Sequence, residues 1–110
     1  MPDQDRDHVI SWGQAKTMIT AHRSMPNVSA DATEGAFGGA FKKADVVNLL
    51  AQPGCAYLRI YYGRNADGTP ALVLVGIDGD KNDMTAGVVL DTHYPCPPWC
   101  PPAGRGGGGL

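Results

Sequence analysis

The chain has 110 residues, a hydrophobic content of 43%, a charged content of 18% and a formal net charge of −2. These values predict one globular domain with a modest core. The acidic balance, with no basic run beyond Lys42-Lys43, argues against nucleic-acid binding, because phosphate neutralisation needs clustered cations. No apolar run approaches the roughly 20 residues that span a bilayer, so we expect no membrane insertion.

The beginning of the sequence is polar and mostly acidic, without the basic and apolar regions of a secretory signal. We therefore expect a cytoplasmic protein. Its three cysteines are an odd number, and a reducing compartment disfavours disulfides, so free thiols or a metal site are expected. The predicted organisation is a disordered start, a single domain, a Pro/Cys-rich arm and a flexible Gly-rich tail, over residues 1–10, 11–93, 94–102 and 103–110.

A helix is predicted from Trp12 to Ser24. Ser11 and Gln14 fit a capping box at its start, and Pro26 ends it because the residue before a proline avoids the α region. Apolar residues then recur at helical spacing, which predicts a buried stripe. That stripe consists of Trp12, Ala15, Ile19 and His22.

Two short elements are predicted in the middle of the chain. Ala36 to Phe41 is typical of a short strand, which a pair of glycines weakens. Ala44 to Gln52 has the apolar spacing of a compact helix, and Pro53-Gly54 ends it.

Three strands are predicted next. Cys55 to Tyr62 alternates cleanly, and the Asp67-Gly68 pair predicts a turn after it. Ala71 to Ile77 is nearly all apolar, which predicts a central strand covered on both faces. Ala86 to Asp91 forms the third strand. Short connections favour an α+β fold, with a three- or four-stranded, mainly antiparallel sheet and two helices.

Residues 94–102 concentrate prolines, two cysteines and a tryptophan. Proline fixes φ and removes a backbone donor, so we expect a stiff, extended arm that is neither helix nor sheet. Such an arm loses little entropy when it docks, and it presents aromatic anchors well. The residues expected to make the interaction are Tyr94, Pro97, Pro98 and Trp99.

Several motifs in combination resemble a family of small uncharacterised bacterial proteins. These motifs are Leu-Ala-Gln-Pro-Gly-Cys at 50–55, Leu-Arg-Ile-Tyr-Tyr-Gly at 58–63, Leu-Val-Gly-Ile-Asp at 74–78, Asn-Asp-Met at 82–84 and Cys-Pro-Pro-Trp-Cys at 96–100. The resemblance implies an N-terminal amphipathic helix, a β-hairpin and a Cys-Pro-Pro-x-Cys tail. It implies a grouping and no activity, and the Gly-rich end departs from it.

The tail also permits a metal site. Three residues, rather than two, separate Cys96 from Cys100, yet both sulfurs can reach one ion, and His93 and Cys55 can complete a zinc or iron site. The alternative is that the cysteines are inert and Trp99 packs on the sheet. In a third interpretation, the tail is the substrate of a peptide-modifying enzyme.

Other candidate residues favour structural roles. The Asp/Asn-rich loop 78–83 lacks the glycine and glutamate of a calcium loop, so a self-capped turn is favoured. Arg59 between Tyr57 and Tyr61 is interpreted as a cross-strand ladder. No catalytic constellation is found in the sequence. We therefore expect a non-enzymatic interaction or structural module that self-associates or binds a protein partner. The alternative is a metal- or thiol-dependent protein.

Overall fold

The computed structural model describes residues 8–25 and 35–100, which form two helices, a three-stranded antiparallel sheet and a two-stranded antiparallel sheet. The elements are α1 Trp12–Arg23, β1 Gly38–Ala40, α2 Lys43–Leu50, β2 Cys55–Arg64, β3 Pro70–Asp78, β4 Val89–Leu90 and β5 Tyr94–Cys96. The predicted α+β class is confirmed. Of the predicted disordered start over residues 1–10, residues 1–7 lie outside the described residues, as does the predicted Gly-rich tail.

The larger sheet has the order β2-β3-β4, so β3 is its central strand, as its apolar run predicted. β3 supplies most of the core of the described residues. The buried hydrophobic residues are Leu49, Ala71, Leu74, Val75 and Ile77. A core this small leaves much apolar side-chain surface exposed elsewhere on the chain.

The register between β2 and β3 defines two faces of the sheet. Ile60 lies opposite Leu74, and Arg59 lies opposite Val75, so the predicted alternation along β2 is confirmed. Helix α2 contacts all three strands of this sheet. Its buried Leu49 contributes to the core.

Gln52 ties the end of α2 to the segment before β4. Its Nε2 donates to the carbonyl of Leu49 at 2.7 Å, and its Oε1 accepts from the N–H of Val88 at 2.7 Å. A Cβ at Gly87 would lie 2.1 Å from Gln52 Oε1, so this approach requires a glycine. The Gln52 amide therefore joins the end of α2 to the residue that leads into β4.

Two loops are closed by aspartate side chains. Asp78 Oδ1 accepts from the N–H groups of Asp80 and Asn82, at 2.9 and 3.0 Å, which confirms the self-capped turn. Asp67 Oδ1 accepts from the hydroxyl and the N–H of Thr69, at 2.6 and 3.0 Å. The Thr69 hydroxyl, followed by its N–H, lowers the pKa of Asp67 because both donate to the charged carboxylate.

Helix α1 begins with the predicted capping box. The N–H of Gln14 donates to Ser11 Oγ at 3.0 Å, and the N–H of Ser11 donates to Gln14 Oε1 at 3.0 Å. The predicted Pro26 stop lies outside the described residues. Within residues 8–25 and 35–100, no helix has the length and apolar character needed to cross a bilayer.

The predicted burial of the α1 stripe is wrong. No residue of α1 is buried, and the stripe residues Trp12, Ala15, Ile19 and His22 are exposed or half-buried. The hydrogen bond and the cation–π contact that join α1 to the rest of the described chain come from its last turn. His22 Nε2 is hydrogen-bonded to the carbonyl of Ala36 at 2.8 Å, and the Arg23 guanidinium lies 3.9 Å from the Phe37 ring centroid. Periodicity predicts which face is apolar, and the tertiary structure decides whether anything covers it.

We expect Gln52→Ala to destabilise the chain by about 1–3 kcal/mol, because it leaves the partly buried N–H of Val88 without its acceptor. Urea unfolding followed by circular dichroism measures the change. Asn48→Ala, at an exposed position of α2, is the control and should cost less. An equal effect of the two substitutions would contradict the structural role of the amide.

Candidate functional site

The C-terminal Pro/Cys segment folds back on the domain. Tyr94–Cys96 forms β5 and pairs antiparallel with β1, with Gly38 opposite Cys96 and Ala40 opposite Tyr94. The prediction of an extended arm outside any sheet is therefore wrong. Proline is compatible with a strand at an edge, where its missing N–H costs no ladder bond, and β5 has a single strand partner.

Residues 94–100, called here the disulfide loop, are closed in two ways. Cys96 and Cys100 form a disulfide, with their Cα atoms 4.8 Å apart. The N–H of Trp99 donates to the carbonyl of Pro95 at 2.7 Å, and the N–H of Cys100 donates to the carbonyl of Pro98 at 3.0 Å. The expectation of free thiols is wrong for this pair, and the free cysteine among the described residues is Cys55.

The backbone before β1 anchors the disulfide loop. The N–H of Gly35 donates to the carbonyl of Pro97 at 2.7 Å, and the N–H of Phe37 donates to the carbonyl of Cys96 at 2.8 Å. Gly35 has a φ of +79°, and a Cβ there would lie 3.3 Å from Pro95 Cβ. Glycine supplies both the left-handed backbone and the close approach.

His93 fills the space above Gly39. A Cβ at Gly39 would lie 2.0 Å from His93 Cδ2, which is closer than real atoms approach. The His93 ring also packs beside Phe41, with 6.3 Å between ring centroids. The glycine pair was expected to weaken this strand. Instead, β1 needs a glycine at position 39, because a larger residue would leave no room for the His93 ring.

The disulfide loop presents an aromatic pair. The rings of Tyr94 and Trp99 have centroids 5.1 Å apart and planes tilted by 32°. Trp99 is 62% exposed, and Tyr94 is also exposed. Two of the predicted interaction residues thus lie together on the surface, while Pro97 and Pro98 form the turn between the two cysteines.

An open groove of about 530 Å³ lies beside the base of the disulfide loop. Among the described residues that line it are His22, Phe37, Tyr62, Arg64 and His93. None of those described lining residues is a carboxylate or a thiol. Sequence reasoning missed this groove, because it joins segments that are distant along the chain.

The structure does not gather the four predicted metal ligands. Cys96 and Cys100 are bonded to each other, whereas Cys55 lies opposite Asp78 with its Sγ beside Gly76. In residues 8–25 and 35–100, no group of three or more His, Cys, Asp or Glu side chains could hold a metal ion. A zinc or iron site that includes His93 stays a prediction for the reduced chain.

Arg59 belongs to a cross-strand cluster. Arg59 Nη1 lies 2.8 Å from Asp83 Oδ1 in an ion pair, and the Tyr61 hydroxyl donates to Asp83 Oδ2 at 2.6 Å. The hydrogen bond with Tyr61 and the charge of Asp83 raise the pKa of Arg59. This arrangement fits the ladder interpretation. The sequence contained no signal for Asp83, which is 24 residues away.

Comparison with protein-family models, with curated proteins and with solved structures finds no match to the chain. The resemblance to a family of small bacterial proteins therefore stays a prediction.

We expect Gly39→Ala to destabilise the chain by about 1–3 kcal/mol, because the new methyl group must displace the His93 ring. Thermal unfolding measures the loss, and the ring-current shifts of Trp99 report whether the disulfide loop moves. Gly79→Ala is the matched control, since a Cβ there meets nothing within 4 Å. A neutral Gly39→Ala would contradict the tight packing described above.

Proposed function

We propose that this protein is a small interaction module that docks on a protein partner through the disulfide loop. The observation that carries the proposal is the exposed Tyr94–Trp99 pair on a loop that a disulfide closes and β1 anchors. The proposal includes self-association through the same loop, and a cytoplasmic location. It assigns no catalytic residue.

Preorganisation is the physical argument for docking. A loop closed at both ends has already lost most of the conformational freedom that binding would otherwise cost. Tryptophan and tyrosine are enriched among the residues that dominate interface energies, because they bury large rigid areas. An exposed aromatic pair on a rigid loop is thus better suited to binding than to stabilising its own small domain.

Trp99→Ala should abolish partner capture while the fold stays intact. The test compares proteins retained from host-cell extract by immobilised full-length chain and by the variant, with quantitative mass spectrometry. Trp99 contacts Tyr94 on the surface, so its removal should leave the unfolding midpoint nearly unchanged.

Trp12→Ala is the matched control for this experiment, because Trp12 is similarly exposed, at 52% against 62% for Trp99. The control should retain the same proteins as the wild-type chain. If wild type, Trp99→Ala and Trp12→Ala retain the same set, the disulfide loop is not the docking element. If only the Trp12→Ala variant fails to retain the proteins, the docking surface lies on α1 and not on the disulfide loop.

The second candidate function is thiol-dependent, and the Cys96–Cys100 pairing favours it. Two electrons and two protons from a dithiol reductant would break the S–S bond and yield two thiols, while the reductant becomes a disulfide. In a cytoplasm such a bond is more often redox-active than structural. The reduced sulfurs of Cys96 and Cys100 would then be available as zinc or iron ligands, with His93 nearby in the sequence.

Thiol titration separates these candidates. If the disulfide is native, the untreated folded chain shows fewer reactive thiols than its three cysteines, and reduction restores all three. Stoichiometric zinc or iron that is lost in Cys96→Ser would favour the metal-dependent alternative, whereas three freely titrating thiols without bound metal would contradict it. Protein purified without chelator is used, with metal content measured on the same sample.

A further inference from the structure

The outer edge of β2 has no strand partner in the described part of the chain. β2 lies at one end of the order β2-β3-β4 and runs for 10 residues, from Cys55 to Arg64. Among the described residues, residues 57–63 make no backbone hydrogen bond outside their own sheet. An unpaired edge of this length is a template for another strand.

The β3 hydrogen bonds show which β2 residues face that edge. The carbonyl of Gly76 accepts from the N–H of Met84 at 2.8 Å, so the Gly76 backbone points away from β2. Leu58 lies opposite Gly76. Where one residue of an antiparallel pair points its N–H and C=O away from the neighbouring strand, the residue opposite does the same. The N–H and C=O of Leu58 therefore point away from β3. Leu58, Ile60 and Tyr62 therefore direct their N–H and C=O groups at the free edge.

The same three residues carry exposed apolar side chains, with Ile60 51% and Tyr62 91% exposed. Natural edges are protected by bulges, prolines or charges. Here a register shift between Cys55 and Tyr57 protects one end, and Arg64 lies at the other. The middle of the edge has no such protection, since the charge of Arg59 is engaged by Asp83.

We propose that β2 pairs antiparallel with β2 of a second copy of this chain, about a two-fold axis at Ile60. This register pairs Leu58 with the second copy's Tyr62, so every outward N–H and C=O of the three residues finds a partner. It also sets Arg59 across from the second copy's Tyr61, where guanidinium and ring attract. A register centred on Arg59 would instead oppose two like charges.

A second copy fits this edge because the strand is self-complementary. A two-fold axis makes the interface isologous, which is the commonest arrangement of soluble dimers. The product is a continuous six-stranded sheet in which the apolar side chains of residues 58, 60 and 62 meet their counterparts. This surface is separate from the disulfide loop, so the dimer and the proposed docking function can fail independently.

Analytical ultracentrifugation of the full-length chain tests the proposal. We expect the wild type at twice the 11.6 kDa chain mass. Ile60→Pro removes an N–H that points outward and leaves the β3 ladder intact, so the variant should fold and the dimer dissociation constant should rise about tenfold or more. Ile60→Lys is a second variant that keeps the backbone unchanged and should weaken the dimer similarly.

Val89→Lys is the matched control, because Val89 is 47% exposed and lies on the opposite edge strand, β4. It should remain dimeric. A wild-type chain that stays at 11.6 kDa at every concentration tested overturns the proposal. So does a dimer that Val89→Lys or Trp99→Ala disrupts while Ile60→Lys does not.

Discussion

The close backbone approach between residues 35–40 and the segment from His93 to Pro97 is the constraint on which the candidate docking site depends. Gly39 admits the His93 ring, and Gly35 places its N–H against the carbonyl of Pro97. Side chains larger than hydrogen would push the two strands apart. The disulfide closes the loop on itself, and these contacts fix its direction relative to the described part of the domain.

The rest of the chain shows how little core this domain has. Among residues 8–25 and 35–100, the buried apolar residues are those of β3 and Leu49 of α2, while α1 buries none. Short chains bury a small share of their surface, and partners that bind the folded state add stability. The exposed apolar side chains along α1 and the β2 edge are surfaces on which such a partner could add stability.

The two proposed surfaces differ in physical character. The disulfide loop offers two aromatic rings on a closed turn, which suits a pocket on another protein. The β2 edge offers backbone donors and acceptors in a line, which suits a strand. A dimer formed through the edge would carry two copies of the loop, and paired weak contacts gain strength through effective concentration.

Local chemistry in the sequence determined the elements: the capping box of α1, the alternation of β2, the apolar run of β3 and the self-capped turn at Asp78. It also placed Tyr94 and Trp99 in the candidate site. Only the tertiary structure decided that β5 pairs with β1, that Asp83 reaches Arg59 and that the α1 stripe stays uncovered. Periodicity and turn chemistry are set by neighbours along the chain, whereas strand partners and burial depend on segments that meet only after folding.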